Sequence, residues 1–184
     1  MFDCNPVNTP MEGSLKLSKF DGGEKEDPTL FKSLVGSLRY LTNTRSDIMY
    51  TVGVVCRFIE SPTYTHMKAT KRILRYLKGT LNFGLFYSSN EFKLRGFCDT
   101  EHVAATSCTC QAIWLRRLLK EFNMNQEEST KIYIDNKSVQ ILVKNMVVLV
   151  HIKTQDQVTD IFIMSLKFED FRRLRAKLGM QNFL

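Results

Sequence analysis

The sequence predicts an α/β protein: an all-helical first part, residues 1–80, followed by a part, residues 81–184, built on a short parallel sheet. Three observations predict it. Between residues 28 and 77 apolar residues recur at spacings of three and four, as one face of successive helices requires. From residue 83 onward, short aromatic or apolar runs alternate with helical patterns, the sign of βαβ connections. Finally, 43% of the 184 residues are hydrophobic, enough for a core and too many for a disordered chain.

Residues 1–27 are polar and turn-rich and read as an extended lead-in. Asp27-Pro28 reads as an N-cap followed by proline at the first helical position. Leu30, Phe31, Leu34, Val35, Leu38 and Leu41 then mark the inner face of a first helix. A second helix is predicted from Ser46, with Ile48, Val52, Val55, Cys56 and Ile59 inward, and Ser61-Pro62 stops it. A third is predicted from Thr65, carrying Met67, Ile73, Leu74 and Leu77, with Gly79 as a left-handed cap. FGLFY and FKLRGFC read as strands. The stretch 101–122 reads as a long helix with Ala104, Cys108, Ala112, Leu115, Leu118 and Phe122 inward. KIYID (131–135) reads as a strand, NKSVQILVKN as a helix, and the apolar run VVLVHI (147–152) as a strand covered on both faces. Helices over Gln155–Ile163 and Phe168–Leu178 follow, the last ended by Gly179.

Composition narrows the function classes. Net charge is +7, which favours an anionic partner, nucleic acid above all. No run approaches eighteen apolar residues, so a transmembrane helix is not expected. The N-terminus lacks a basic region followed by an apolar run, so neither is a signal peptide. Five cysteines, an odd number without framework spacing, read as free thiols of a reducing compartment, cytoplasmic or nuclear. Cys108 and Cys110 point apart on a helix, and three scattered histidines give no zinc pattern.

Two groups of residues carry candidate chemistry. Lys68, Lys71, Arg72, Arg75 and Lys78 share a broad face of the third helix that no acidic residue interrupts, as phosphate contact would require; the plainer alternative is a solvated face. Beside them, Tyr76 and Tyr64 read first as core residues and second as stacking platforms for bases. The other group is acidic. Asp99 ends a strand, Glu101 opens a helix, Asp135 ends the next strand, and Asp160 lies on a helix after the third. Acids at the C-terminal ends of adjacent parallel strands converge on one crevice, where they can hold Mg²⁺. Two such ions about 4 Å apart support phosphodiester cleavage. Taken one at a time, each acid is equally a turn, helix-start or surface residue.

SLVGSLRYLTNTRSDIMYTVGVVCRFIESPTYTHMKATKRILRYLKGTLNFGLFY (33–87) resembles the segment after the polymerase core in copia-type retrotransposon Pol proteins, with Ser46 where that family usually has proline. CNPVNTPME (4–12) fits the linker before it. GFCD, EHVAATS, YIDNKS and KTQDQVTDIF resemble motifs of the family's RNase H domain. The resemblance implies a helical reverse-transcriptase tail over 1–80 and a reduced, three-layer RNase H-like domain over 81–184. It implies that Asp99, Glu101, Asp135 and Asp160 are the catalytic, Mg²⁺-binding acids that cleave the RNA strand of an RNA–DNA hybrid. Thr159 departs from the family's alanine beside the last of them.

The departures are as informative as the matches. The family's paired-aspartate polymerase hairpin is not in this sequence, so no DNA synthesis is expected. GFCDT runs straight into EHVAATS, without the hairpin the family has between them. NMVVLVHIK bridges a gap where the family has a histidine-containing segment and a helix. Ile163-Met164-Ser165-Leu166 stands in place of TKPL. A sheet shortened in this way leaves its first strand as an edge and buries little apolar surface. The expectation is therefore a Pol fragment without competent catalysis. The alternatives are a Mg²⁺-dependent RNase H-type nuclease and a non-catalytic nucleic-acid-binding module.

Overall fold

The computed structural model describes residues 4–85, 93–98, 102–135 and 146–183. The chain divides into two compact units, the first formed by Met1–Phe86 together with Asp160–Leu184, the second by Tyr87–Thr159. These units do not coincide with the division at residue 80: the last 25 residues belong with the N-terminal helices. Architecture is mixed α/β throughout the described residues, with a parallel sheet confined to the second unit.

In the first unit, α1 (Pro28–Leu41) begins where the sequence places it. The Asp27 carboxylate accepts the Thr29 N–H at 2.8 Å, and Pro28 fills the position whose missing donor costs nothing. Phe31, Val35 and Leu38 turn into the core, while Leu30, expected inward, is half exposed. Ser46–Ile48 form a 3₁₀ turn rather than the first turn of an α-helix, and α2 spans Met49–Cys56. The third helix, α3 (Tyr64–Gly79), starts at a capping box in which His66 takes the place of the usual acid. Its Nδ1 accepts the Thr63 N–H at 3.0 Å, and its ring stacks on Phe58 at 3.9 Å.

Gly79 is not a left-handed cap. Among the described glycines only Gly22 and Gly179 have positive φ. What demands glycine at 79 is a close approach: a Cβ there would lie 2.8 Å from the Pro6 ring.

α5 (Asp160–Ile163) and α6 (Phe168–Lys177) return to this unit, where Ile161, Phe171 and Leu174 join the same core as Phe31, Val52, Ile73 and Tyr76. Gly179, at φ 81°, ends α6 and turns the chain into β5 (Met180–Asn182). That strand, which the sequence did not predict, pairs antiparallel with β1 (Phe83–Leu85). The first expected strand thus belongs to a separate two-stranded sheet, not to the parallel one.

The second unit contains β2 (Arg95–Phe97), α4 (His102–Glu121), β3 (Thr130–Ile134) and β4 (Val147–His151). All three strands are parallel, in the order β2-β3-β4, with Phe97 opposite Tyr133 and Ile134 opposite His151. Central β3 alternates as a covered strand should, burying Thr130, Ile132 and Ile134. Among the residues of α4 whose side chains are described, Ala105, Thr109 and Ala112 are buried, and Phe122, expected inward, is 67% exposed. The expectation that 147–152 is covered on both faces is corrected: β4 is an edge strand with only Val147 buried. The helix expected over Gln155–Ile163 is interrupted. A 3₁₀ turn at Thr154–Asp156 is followed by an extended Gln157 and then a turn before α5. The expected helix NKSVQILVKN lies outside the described residues. All five cysteines are free thiols, and no described helix is long and apolar enough to cross a membrane.

Candidate functional site

Parallel pairing fixes where β2 and β3 end. The Cys98 N–H donates to the Tyr133 carbonyl at 3.0 Å, and the Ile152 N–H to the Ile134 carbonyl at 2.8 Å. Asp135 is the residue directly after β3, so it stands at the C-terminal end of the central strand, as the sequence predicts. The buried Gln157 side chain closes the neighbouring end: its Nε2 donates to the Cys98 carbonyl at 2.7 Å. Among the described residues of this unit, Asp135 Oδ1, Gln157 Oε1 and Thr159 Oγ1 are buried without a hydrogen-bond partner. A buried acceptor left unsatisfied costs about 1–3 kcal/mol, so such a concentration is unusual for a finished core. Gln157 and Thr159 carry no signal in the sequence beyond their place in KTQDQVTDIF.

The other acids fall differently. Asp99 and Glu101 lie outside the described residues. Asp160 opens α5 and belongs to the first unit, whereas Asp135 belongs to the second.

The five basic residues lie on α3 as predicted, but the face is not open. Arg72 pairs with Glu12 at 2.8 Å and donates to the Thr9 hydroxyl at 3.1 Å. Arg75 Nε donates to the Asn5 carbonyl at 2.7 Å, and Lys78 Nζ to the Cys4 carbonyl at 3.0 Å. Lys68 and Lys71 remain exposed. No acidic residue of α3 itself interrupts the face, but the lead-in supplies it with one carboxylate, one hydroxyl and two main-chain oxygens. Tyr76 is fully buried, which excludes it as a stacking platform; Tyr64 is 53% exposed.

A buried polar network, missed in the sequence, ties the first unit together. Arg45 forms a two-bond pair with Asp47, at 3.0 and 2.9 Å, and donates to the Thr80 carbonyl and hydroxyl. Tyr76 Oη donates to Asp47 and accepts from Arg175 of α6 at 2.8 Å. The Arg175 guanidinium lies 4.1 Å from the Phe83 ring centroid. Burial opposes the charge on Arg45, but Asp47 more than offsets this and raises its pKa. Burial, reinforced by Asp47, drives the Tyr76 phenol well above the ordinary tyrosine value, against the opposing pull of Arg175.

No family model and no solved structure matches the chain. Curated proteins do. The chain is a homologue of the retrovirus-related Pol polyproteins of copia-type transposons. It is 28% identical to the Pol polyprotein of transposon RE1 of Arabidopsis thaliana, over 98% of this chain and 17% of the relative. To that of TNT 1-94 of Nicotiana tabacum it is 32% identical, over 79% of this chain and 14% of the relative. To that of RE2 of Arabidopsis thaliana the figures are 39% identity, 58% and 7%. The chain therefore spans under a fifth of these polyproteins. The RE1 alignment runs over 246 positions whereas this chain has 184 residues, so at least 62 positions are filled only by the relative.

Proposed function

We propose that this chain is a reduced reverse transcriptase–RNase H segment of a transposon Pol polyprotein, without hydrolytic competence. Its remaining capacity is to contact nucleic acid through the basic face of α3. The observation that carries the first statement is the RE1 alignment, in which at least 62 positions have no counterpart here. The three-stranded sheet, with β2 as an edge, supports it. Metal-dependent cleavage requires ligands held to about 0.5 Å, which a shortened sheet does not favour. Lys68 and Lys71 support the second statement, since exposed cations on one helical face release counterions on meeting phosphates.

A second reading, a Mg²⁺-dependent nuclease acting on RNA–DNA hybrids, draws on one observation. Asp135 Oδ1 is buried and unpartnered at the end of the central strand, the kind of hard oxygen that suits a divalent cation. In that reading Asp99, Glu101, Asp135 and Asp160 hold the metal, which supplies water activation and charge stabilisation.

The test is incubation of the purified chain with a fluorescent RNA–DNA hybrid and Mg²⁺. The expected result is salt-sensitive binding and no cleavage above the buffer control. Replacing Lys68 and Lys71 by alanine should reduce the salt slope of binding by about one each. Cleavage at an enzymatic rate that disappears in Asp135→Asn would instead establish the nuclease.

A further inference from the structure

We propose that residues 4–12 form an autoinhibitory strap, which shields the basic face of α3 from polyanions and is displaced when one binds. The proposal rests on reading that face as a nucleic-acid contact and adds to it a means of control.

The strap runs along the C-terminal half of the helix. Cys4 and Asn5 lie by Lys78 and Arg75, Pro6 by Gly79, and Thr9 and Glu12 by Arg72. Its middle is anchored: Thr9, Pro10 and Met11 are buried, and Val7 packs against the core of the first unit. Its two arms are held differently. Residues 4 and 5 offer only main-chain oxygens, and Glu12 is 58% exposed, so its ion pair with Arg72 is weak. These oxygens occupy the same donors that a phosphate would take. A phosphate offers them an anionic acceptor with several oxygens, which can meet a guanidinium with two parallel bonds where the strap offers one neutral carbonyl. The arrangement suits exchange: anchored residues keep the strap attached while its arms are replaced by a stronger acceptor. With the strap in place Lys68, Lys71 and Lys78 are exposed, the last with its amine on the Cys4 carbonyl; without it, Arg72 and Arg75 join them.

The experiment measures binding of the full chain to a fluorescent RNA–DNA hybrid across a salt series, because the slope counts the cations engaged. Deletion of residues 1–8 removes the Asn5 and Cys4 carbonyls from Arg75 and Lys78 while keeping Thr9, Pro10 and Met11. The expected result is a slope steeper by about two and affinity raised at least several-fold. Glu12→Gln should steepen it by at most about one, and Glu127→Gln, which makes the same charge change in the second unit, should not. In the unmodified chain, amide hydrogen exchange of residues 5–12 should quicken when the hybrid is bound. That measurement decides by itself if circular dichroism shows the deletion variant unfolded. Exchange of 5–12 that is unchanged on binding, or a folded deletion variant with the parent's slope, overturns the strap while leaving the face reading intact. Binding that is indifferent to Lys68→Ala and Lys71→Ala, or no binding by any form, overturns both.

Discussion

The two compact units are built to different standards. Among the described residues, the helical unit gathers thirteen buried side chains into one core, several of them large: Phe31, Leu38, Ile73, Tyr76 and Phe171. The sheet unit gathers six, of which two are alanines and one a cysteine. The helical unit ties Arg45, Asp47, Tyr76 and Arg175 together by shared hydrogen bonds, although the buried Arg72 Nε has no partner. The sheet unit leaves Asp135, Gln157 and Thr159 each with an unpartnered buried oxygen. The difference lies in the apolar core and in the Arg45–Asp47–Tyr76–Arg175 network, which has no counterpart among the described residues of the sheet unit. The unit with the richer core is also assembled from both ends of the chain, with the sheet unit as an insertion in its sequence.

The chain's single tryptophan, Trp114 on α4, reports the sheet unit, whereas far-ultraviolet circular dichroism is weighted toward the helices of the other. Asp47→Ala should have the largest effect. It leaves Arg45 buried without its partner, at a cost of about 3–5 kcal/mol. The circular dichroism transition should move to much lower denaturant and the Trp114 transition should stay. Equal movement of both would show a single cooperative body and dissolve the comparison.

Ile132→Ala should do the reverse, lowering the Trp114 transition by about 2–3 kcal/mol, at the low end for such truncations because the surrounding core is thin. Tyr76→Phe should cost about 1–3 kcal/mol at neutral pH, through the acceptor and donor it strands. It should also change the alkaline limb. The folded phenol holds its proton above the ordinary value of 10.0, so the unfolded chain alone releases it near that pH. Stability from this group is complete below that point and is lost as pH rises beyond it. The gap in urea midpoint between the two proteins should therefore hold from neutral pH to near 10 and narrow only as pH rises further. Smallest of all, Val148→Thr on the exposed side of β4 should change the Trp114 transition by no more than about 0.5 kcal/mol. A larger loss would mean that the edge strand is covered.

Much of the helical order could be read from spacing and caps, because one face of each helix meets the core locally. Phe31, Val35 and Leu38 are three and four apart, and Asp27-Pro28 marks their start. What could not be read depended on partners distant in sequence. Arg45 and Asp47 look like loop residues in TRSD; they are buried because Thr80, Tyr76 and Arg175 arrive from elsewhere. β5 has three residues and no alternation, so nothing marks it as a strand until β1 is beside it. The basic face seemed open because the main-chain carbonyls that occupy donors of Arg75 and Lys78 have no letter in a sequence. Of the candidate acids, the position of Asp135 was legible from the strand it ends, whereas Gln157, which fastens the end of β2, was not.

The return of α6 to the N-terminal helices has a consequence for synthesis on the ribosome. Phe171, Leu174 and Arg175 are translated some 95 residues after the α3 residues they cover. At ordinary elongation rates that is a delay on the order of ten seconds, during which Ile73 and Tyr76 wait without their lid. The stretch that completes the first unit therefore leaves the exit tunnel well after the helices it covers. Nascent chains halted before it would expose an apolar surface for chaperones or proteases to find.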